Sequence, residues 1–157
     1  MSADGEANPA RVVADADVLA ADVLADGPAR EALGQVRRHS WVELLASDAL
    51  LADAVAVIAT LATDSLAEDW RALAETERVA VSHPSGDHPG LASAYRGDAA
   101  HLLTFDPDLA TAHTNLSVQP YTALSIRPPD AFARLFDPAS LYESLHDDPY
   151  PGPDNTD

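Results

Sequence analysis

The chain contains no cysteine and no lysine. Without cysteine there is no disulfide framework and no thiolate zinc site. The nine basic residues are therefore all arginine, set against 26 acidic ones for a net charge of -17. No apolar run approaches the roughly 20 residues that span a bilayer. Met1–Ala10 is short, polar and acidic, unlike a secretory signal. The cytoplasm is the expected compartment, and no membrane partner is expected. There is no internal repeat, and no basic patch interleaved with aromatics of the kind that marks many single-strand binders. What is present fits one domain: 157 residues, 46% of them hydrophobic, can furnish a core of ordinary size.

Nineteen of the acids are Asp and seven are Glu. This balance resembles the proteins of extreme halophiles. In molar salt the Debye length falls to about 3 Å, so self-repulsion is screened, while a carboxylate-rich surface stays hydrated. Most Asp residues are then expected to face solvent, and a single Asp in a motif says little. Position says more.

Two apolar strands run into an aspartate. Arg11 to Ala14 reads as a strand ending at Asp15, and His101 to Phe105 as a strand ending at Asp106. In an open parallel sheet the ligand crevice lies beyond the carboxyl ends of the strands. Carboxylates gathered there repel unless a cation holds them, which points to a hard divalent metal.

Strands and helices alternate along the chain. Helices are predicted over Val18 to Ala25 and Ala29 to about Arg38, separated at Gly27-Pro28. Trp41 to Leu45 is ambiguous. Ser47 is a good N-cap for an apolar helix through Ala62, and Asp64 or Ser65 for another over Leu66 to Thr76. Val79 to Val81 is a short strand. Asp87 to Tyr95 is helical with Pro89 in its first turn. A short helix is expected near Leu109 to His113 and a strand over Tyr121 to Ile126. Helices follow over Pro129 to Phe136 and Pro138 to Leu145, the second capped by Asp137. Residues 1–10 and the acidic, Pro-rich stretch 146–157 are expected to be disordered. The pattern predicts an α/β three-layer sandwich with a mostly parallel central sheet flanked by helices.

The helix around Asp53 is apolar nearly all round, as in helices buried on more than one side. Asp53 is its only ionisable residue between Ala49 and Ala62, and it shares a face with Leu50 and Val57. A buried carboxylate needs a cation or a donor; otherwise that face is wet.

These residues together resemble the PIN-domain family of metal-dependent nucleases. Asp15-Ala16-Asp17-Val18-Leu19 matches the family's first strand end, with Asp17 where Asn is usual and Ala16 where Thr or Ser is common. Ser47-Asp48-Ala49-Leu50-Leu51-Ala52-Asp53 matches the helix that carries an acid, with Asp53 in place of Glu. Asp87 opens a helix ending at Gly97, and Leu103-Thr104-Phe105-Asp106-Pro107-Asp108-Leu109 closes the following strand. Ser125-Ile126-Arg127-Pro128-Pro129 resembles the family ending. The likeness spans about residues 11 to 136, within an expected domain of 11–145.

The resemblance implies phosphodiester hydrolysis, with RNA as substrate and Mg²⁺ or Mn²⁺ as cofactor. Asp15, Asp106, Asp87 and Asp53 are its metal and catalytic residues, Asp53 reaching the ion directly or through water. Asp17 orients the loop after the first strand, and Thr104 bonds a ligand or serves as a strand residue. A protein partner such as an antitoxin, or a homodimer, accords with the family. Two other readings stand beside it. One is a PIN-like domain with degraded acids that binds protein. The other is a haloacid-dehalogenase-like phosphatase with Asp15 as nucleophile, which lacks the lysine that chemistry uses. His83 and His88 lie five residues apart, too few ligands for zinc. Arg37, Arg38, Arg96 and Arg127 can contact phosphate or pair with Asp.

Screening of the charge gives a first prediction. Molar KCl is expected to raise the melting temperature above its value in dilute buffer. A melting temperature that is flat or falling between the two would contradict it.

Overall fold

A computed structural model of the protein describes residues 8–109 and 124–154. The first seven residues, the far end of the helix expected up to His113, the start of the strand expected from Tyr121, and residues 155–157 lie outside the described residues.

Five parallel strands form one sheet: β1 (Asn8–Ala14), β2 (Glu43–Ala46), β3 (Val79–Ala80), β4 (Ala99–Leu103) and β5 (Ser125–Arg127), in the order β3-β2-β1-β4-β5. The helices are α1 (Ala16–Leu24), α2 (Pro28–Arg37), α3 (Asp48–Leu61), α4 (Asp64–Glu77), α5 (Pro89–Arg96), α6 (Pro129–Leu135) and α7 (Pro138–Leu145). They flank the sheet in a three-layer α/β sandwich, as the alternation predicts. α1 packs on α2 and α3, α3 on α4, and α2 on α6, while α5 lies against β1, β2 and β4.

A parallel sheet is covered on both faces, so its inner strands are apolar without alternation. Val12, Val13, Leu102 and Leu103 are all fully buried in β1 and β4. The edge strands β3 and β5 are two and three residues long, and short edges resist pairing with other chains. The ambiguous stretch at Trp41 resolves as β2, starting two residues later. Its strand signal is masked by Glu43, which sits opposite Arg11 in the register and pairs with it at 3.0 Å.

The helix starts follow their caps. Ser47 Oγ accepts the Leu50 N–H at 3.1 Å, as expected, but α4 is capped by Thr63, one residue before the predicted Asp64. α3 buries Leu50, Leu51, Ala54 and Ile58 against its neighbours, and its outer side is mostly small residues such as Ala52 and Ala56. Alanine favours helix strongly and carries little apolar surface, so a run that reads as apolar all round need not be buried all round.

Two stretches expected to be disordered are ordered where described: Asn8–Ala10 begins β1, with Asn8 paired to Ala99, and 146–154 is docked. The Tyr150 ring stacks on His39 at 5.8 Å, and its hydroxyl donates to His39 Nε2. His39 Nδ1 donates to Gln35 O at 2.7 Å, which fixes the tautomer that leaves Nε2 as acceptor. Asp154 accepts the Ser40 N–H, and its own N–H donates to Arg38 O at 2.7 Å. His146 stacks on Tyr142, which meets Trp41 edge-on at 5.3 Å. Composition overstated the disorder because the His146 and Tyr150 rings and two hydrogen bonds of Asp154 anchor an otherwise acidic segment.

His101 in β4 packs edge-on against Phe132 at 5.3 Å, with its buried Nδ1 unpartnered among the described residues. Burial, helped by nearby Arg127, lowers its pKa to about 4. The unfolded chain binds this proton first, so His101 weakens the fold as pH falls from about 6.5 to about 4. The loss over that window is on the order of 3 kcal/mol. His101→Phe is expected to flatten this part of the stability–pH curve relative to wild type. Parallel curves for the two proteins in denaturant titrations would contradict it.

Candidate functional site

The strand order places a topological switch point between β1 and β4. From β1 the chain moves outward to β2 and β3, then returns to pair β4 on the other side of β1. The crevice at such a point, beyond the carboxyl ends, is where ligands of open α/β sheets bind. Asp15 immediately follows β1 and Thr104 follows β4, and the Asp15 N–H donates to Leu103 O at 2.9 Å.

Asp15 is the N-cap of α1, its Oδ1 accepting the Ala16 N–H at 3.0 Å. The Thr104 hydroxyl, 4% exposed as a residue, shares its proton between Asp15 Oδ2 at 3.2 Å and Asp17 Oδ2 at 3.4 Å. Thr104 Oγ1 also accepts the Asp106 N–H at 3.1 Å, and Asp17 Oδ2 accepts the Phe105 N–H at 3.0 Å. One hydroxyl and one carboxylate thus tie the loop after β1 to the loop after β4.

Asp17 Oδ1 is buried and has no hydrogen-bond partner among the described residues. Burial raises the Asp17 pKa, and the Asp15 charge adds to the rise; the N–H of Phe105 opposes it. An acceptor left bare beside a second carboxylate is chemically suited to a cation or a proton. This is the observation by which the residues present fit a divalent ion.

α5 approaches from the other side. A Cβ on Gly90 would lie 2.7 Å from Asp15 Oδ1, so only glycine lets the first turn of α5 come this close. His88, not Asp87, caps that helix, its Nδ1 accepting the Leu91 N–H at 3.2 Å. The proton of neutral His88 is therefore on Nε2, which lies 3.8 Å from Asp15 Oδ2. His83 turns elsewhere, Nε2 to Ser47 Oγ at 2.8 Å and Nδ1 to Pro84 O at 3.0 Å.

The expected carboxylates are distributed unevenly. Asp15 and Asp17 lie in the crevice, the Asp15 side chain only 14% exposed. Asp106 is on the same rim but exposed, and its Oδ1 accepts the Asp108 N–H at 2.9 Å at the start of the helical turn 107–109. Asp87 is exposed in the loop before His88, and Asp53 is exposed on α3. Among the described residues no three Asp, Glu or His side chains converge as a metal-holding group. Convergence of all four predicted carboxylates is therefore corrected to a half-buried pair, Asp15 and Asp17, with Asp106 beside it. Asp53 faces water because its helix turns a narrower stripe to the core than its composition implies. The sequence alone offers His88 only as a zinc ligand and does not single out Gly90; the Pro89-Gly90 step in a helix's first turn is the signal that marks both.

A family model covers residues 6–157, and the chain belongs to that family, DUF7384, described as a family of unknown function. No curated protein and no solved structure matches the chain. No helix among the described residues is long and apolar enough to cross a membrane.

The electrostatics of Asp17 give a prediction. Its raised pKa means the folded state binds this proton before the unfolded state does, so the charged form destabilises the fold once pH rises past the ordinary carboxylate range. Asp17→Asn keeps the acceptor for Phe105 and removes the charge. It is expected to raise the melting temperature at neutral pH without divalent metal, with the gain fading in acid. A loss of stability of equal size at all pH values would contradict it.

Proposed function

We propose that the protein is a metal-dependent endonuclease that hydrolyses phosphodiester bonds, with single-stranded RNA as substrate, through a PIN-like carboxylate site. The observation that carries the reading is the linked set Asp15, Thr104 and Asp17 at the switch point of a parallel sheet, with Asp106 one step along the same rim. Mg²⁺ or Mn²⁺, when bound, supplies an activated water and neutralises charge on the phosphate.

In this reading Asp15 and the bare Oδ1 of Asp17 hold the cation. The Thr104 hydroxyl keeps Asp15 Oδ2 and Asp17 Oδ2 turned toward one point. Asp106 offers the oxygen that Asp108 does not use, at the edge where substrate enters. His88 Nε2–H sets the position of Asp15 from the α5 side. Asp87 lies in the loop leading to His88, and Asp53 has no part in the site.

A second reading is a PIN-like domain whose site is degraded and whose role is protein binding. The observation in its favour is the exposure of Asp53, Asp87 and Asp106, which leaves no group of three ligands among the described residues.

Mn²⁺ separates the two. Under the nuclease reading it raises the melting temperature, because it binds only the folded state; an ion at 100 times its Kd contributes about 2.7 kcal/mol. Asp15→Asn with Asp106→Asn is expected to abolish that gain and to slow RNA cleavage in high salt at least about a hundredfold. If the double variant gains as much from Mn²⁺ as wild type, the metal acts on the general surface and the nuclease reading fails. Absence of both Mn²⁺ binding and cleavage in the wild type selects the protein-binding reading.

A further inference from the structure

We propose that Phe105 and Arg127 form a one-nucleotide subsite for single-stranded RNA beside the carboxylate crevice, the ring stacking on a base and the guanidinium pairing with its phosphate. The choice of RNA rests on the nuclease reading; the subsite itself rests on the two side chains and what lies between them.

Phe105 is the one aromatic among the large apolar side chains that the described residues leave exposed, at 46%. Its backbone is not free: the Phe105 N–H is held by Asp17 Oδ2 at 3.0 Å. A ring fixed at its root and open on its face is a stacking platform of the kind that single-strand binders use. A structural role for this ring would bury it, as Phe132 is buried at 1% exposure.

Arg127 ends β5, next to β4 in the sheet, and its carbonyl accepts the Thr104 N–H at 3.2 Å. Six of the nine arginines hold their guanidinium on an acid or a carbonyl: Arg11, Arg30, Arg37, Arg71, Arg78 and Arg134. The Arg127 guanidinium makes no hydrogen bond or ion pair among the described residues. In a chain of net charge -17 an arginine beside an acidic loop that has no partner among the described residues has had partners on offer. Arg38 and Arg96 are also unpaired among the described residues, but neither lies at this crevice.

Arg127 and Phe105 line the same hollow with Thr104, Asp106 and Pro128. Its volume is about 130 Å³, below the roughly 300 Å³ at which pockets begin to enclose a ligand. It does not enclose a whole nucleotide, so in this proposal the base meets the ring from outside. Arg127 also borders a second hollow with His101, Phe132 and Asp137, so the proposed subsite has the guanidinium reach out along the rim toward Phe105 and hold the phosphate there.

The test uses the full chain and a short labelled single-stranded RNA, with binding read by anisotropy in EDTA. Cleavage is read separately with Mn²⁺. Phe105→Ala is expected to weaken binding about five- to 150-fold, and Phe105→Trp to restore it. Arg127→Gln is expected to weaken binding and to change the slope of log affinity against log salt by about 0.7. The matching duplex is expected to bind more weakly than the single strand. Wild-type affinity in both Phe105→Ala and Arg127→Gln, with the wild type cleaving, overturns the subsite and leaves the nuclease reading standing. Binding that depends on both residues without any Mn²⁺-dependent cleavage supports the subsite and overturns the nuclease reading. A wild type that does not bind, or that binds the duplex equally well, overturns the subsite.

Discussion

The Asp15 N–H donates to Leu103 O, and the site hangs on this pairing of β1 with β4. A parallel pair cannot be made by a hairpin; it needs a crossover. Here the crossover includes two strands on the far side of β1 before the chain returns. The consequence is local. Two loops with no sequence proximity are brought edge to edge, and each carries an acid. The site proposed for the molecule depends on that registry: Thr104 reaches Asp15 and Asp17, and Asp17 holds Phe105. A slip of one residue in β4 would turn Thr104 to the other face of the sheet and undo the three contacts that cross between the loops.

Charge is the second constraint. With 26 acids and nine arginines, pairing is rationed by position. Asp22 takes both arms of Arg37, and Asp48 and the Ala46 carbonyl take Arg78. These are surface pairs, each contributing little in water and less in salt. Their effect is to fix where the loops run, since Arg78 holds the exit of β2 and Arg11 joins Glu43 in β2 to the Gly97 carbonyl before β4. The carboxylates of the crevice are excluded from this pairing. Among the described residues Asp15 and Asp17 face a hydroxyl, backbone N–H groups and one histidine, but no arginine.

The α/β alternation, the strand ends at Asp15 and near Asp106, and the Ser47 and Asp137 caps were legible in the sequence because each depends on local chemistry. Strand order was not legible, since it depends on which edge each crossover returns to. Asp53 was misjudged for a related reason. Helical spacing gives the face a residue shares but not how far the neighbouring helices wrap around it, and α3 leaves that margin open to water. The segment 146–154 was misjudged in the opposite sense. Its partners, His39 and Ser40, lie more than a hundred residues away, and composition carries no trace of them.

In a chain where Asp is this common, residue type cannot identify a site, and burial has to do so. Asp53, Asp87 and Asp106 are exposed, and an exposed carboxylate is already satisfied by water. Asp17 is different. One oxygen accepts two donors while the other is shut away from solvent without any among the described residues. An amide at this position would carry no charge. A carboxylate brings one, next to a second carboxylate that is itself mostly covered. Such an arrangement costs stability in the absence of a counter-charge. The cost falls on the one pair of acids that the topology brings to the switch point, not on the many that cover the surface. That coincidence of strain and position, rather than the number of acids, is the physical argument for a cation at Asp15 and Asp17.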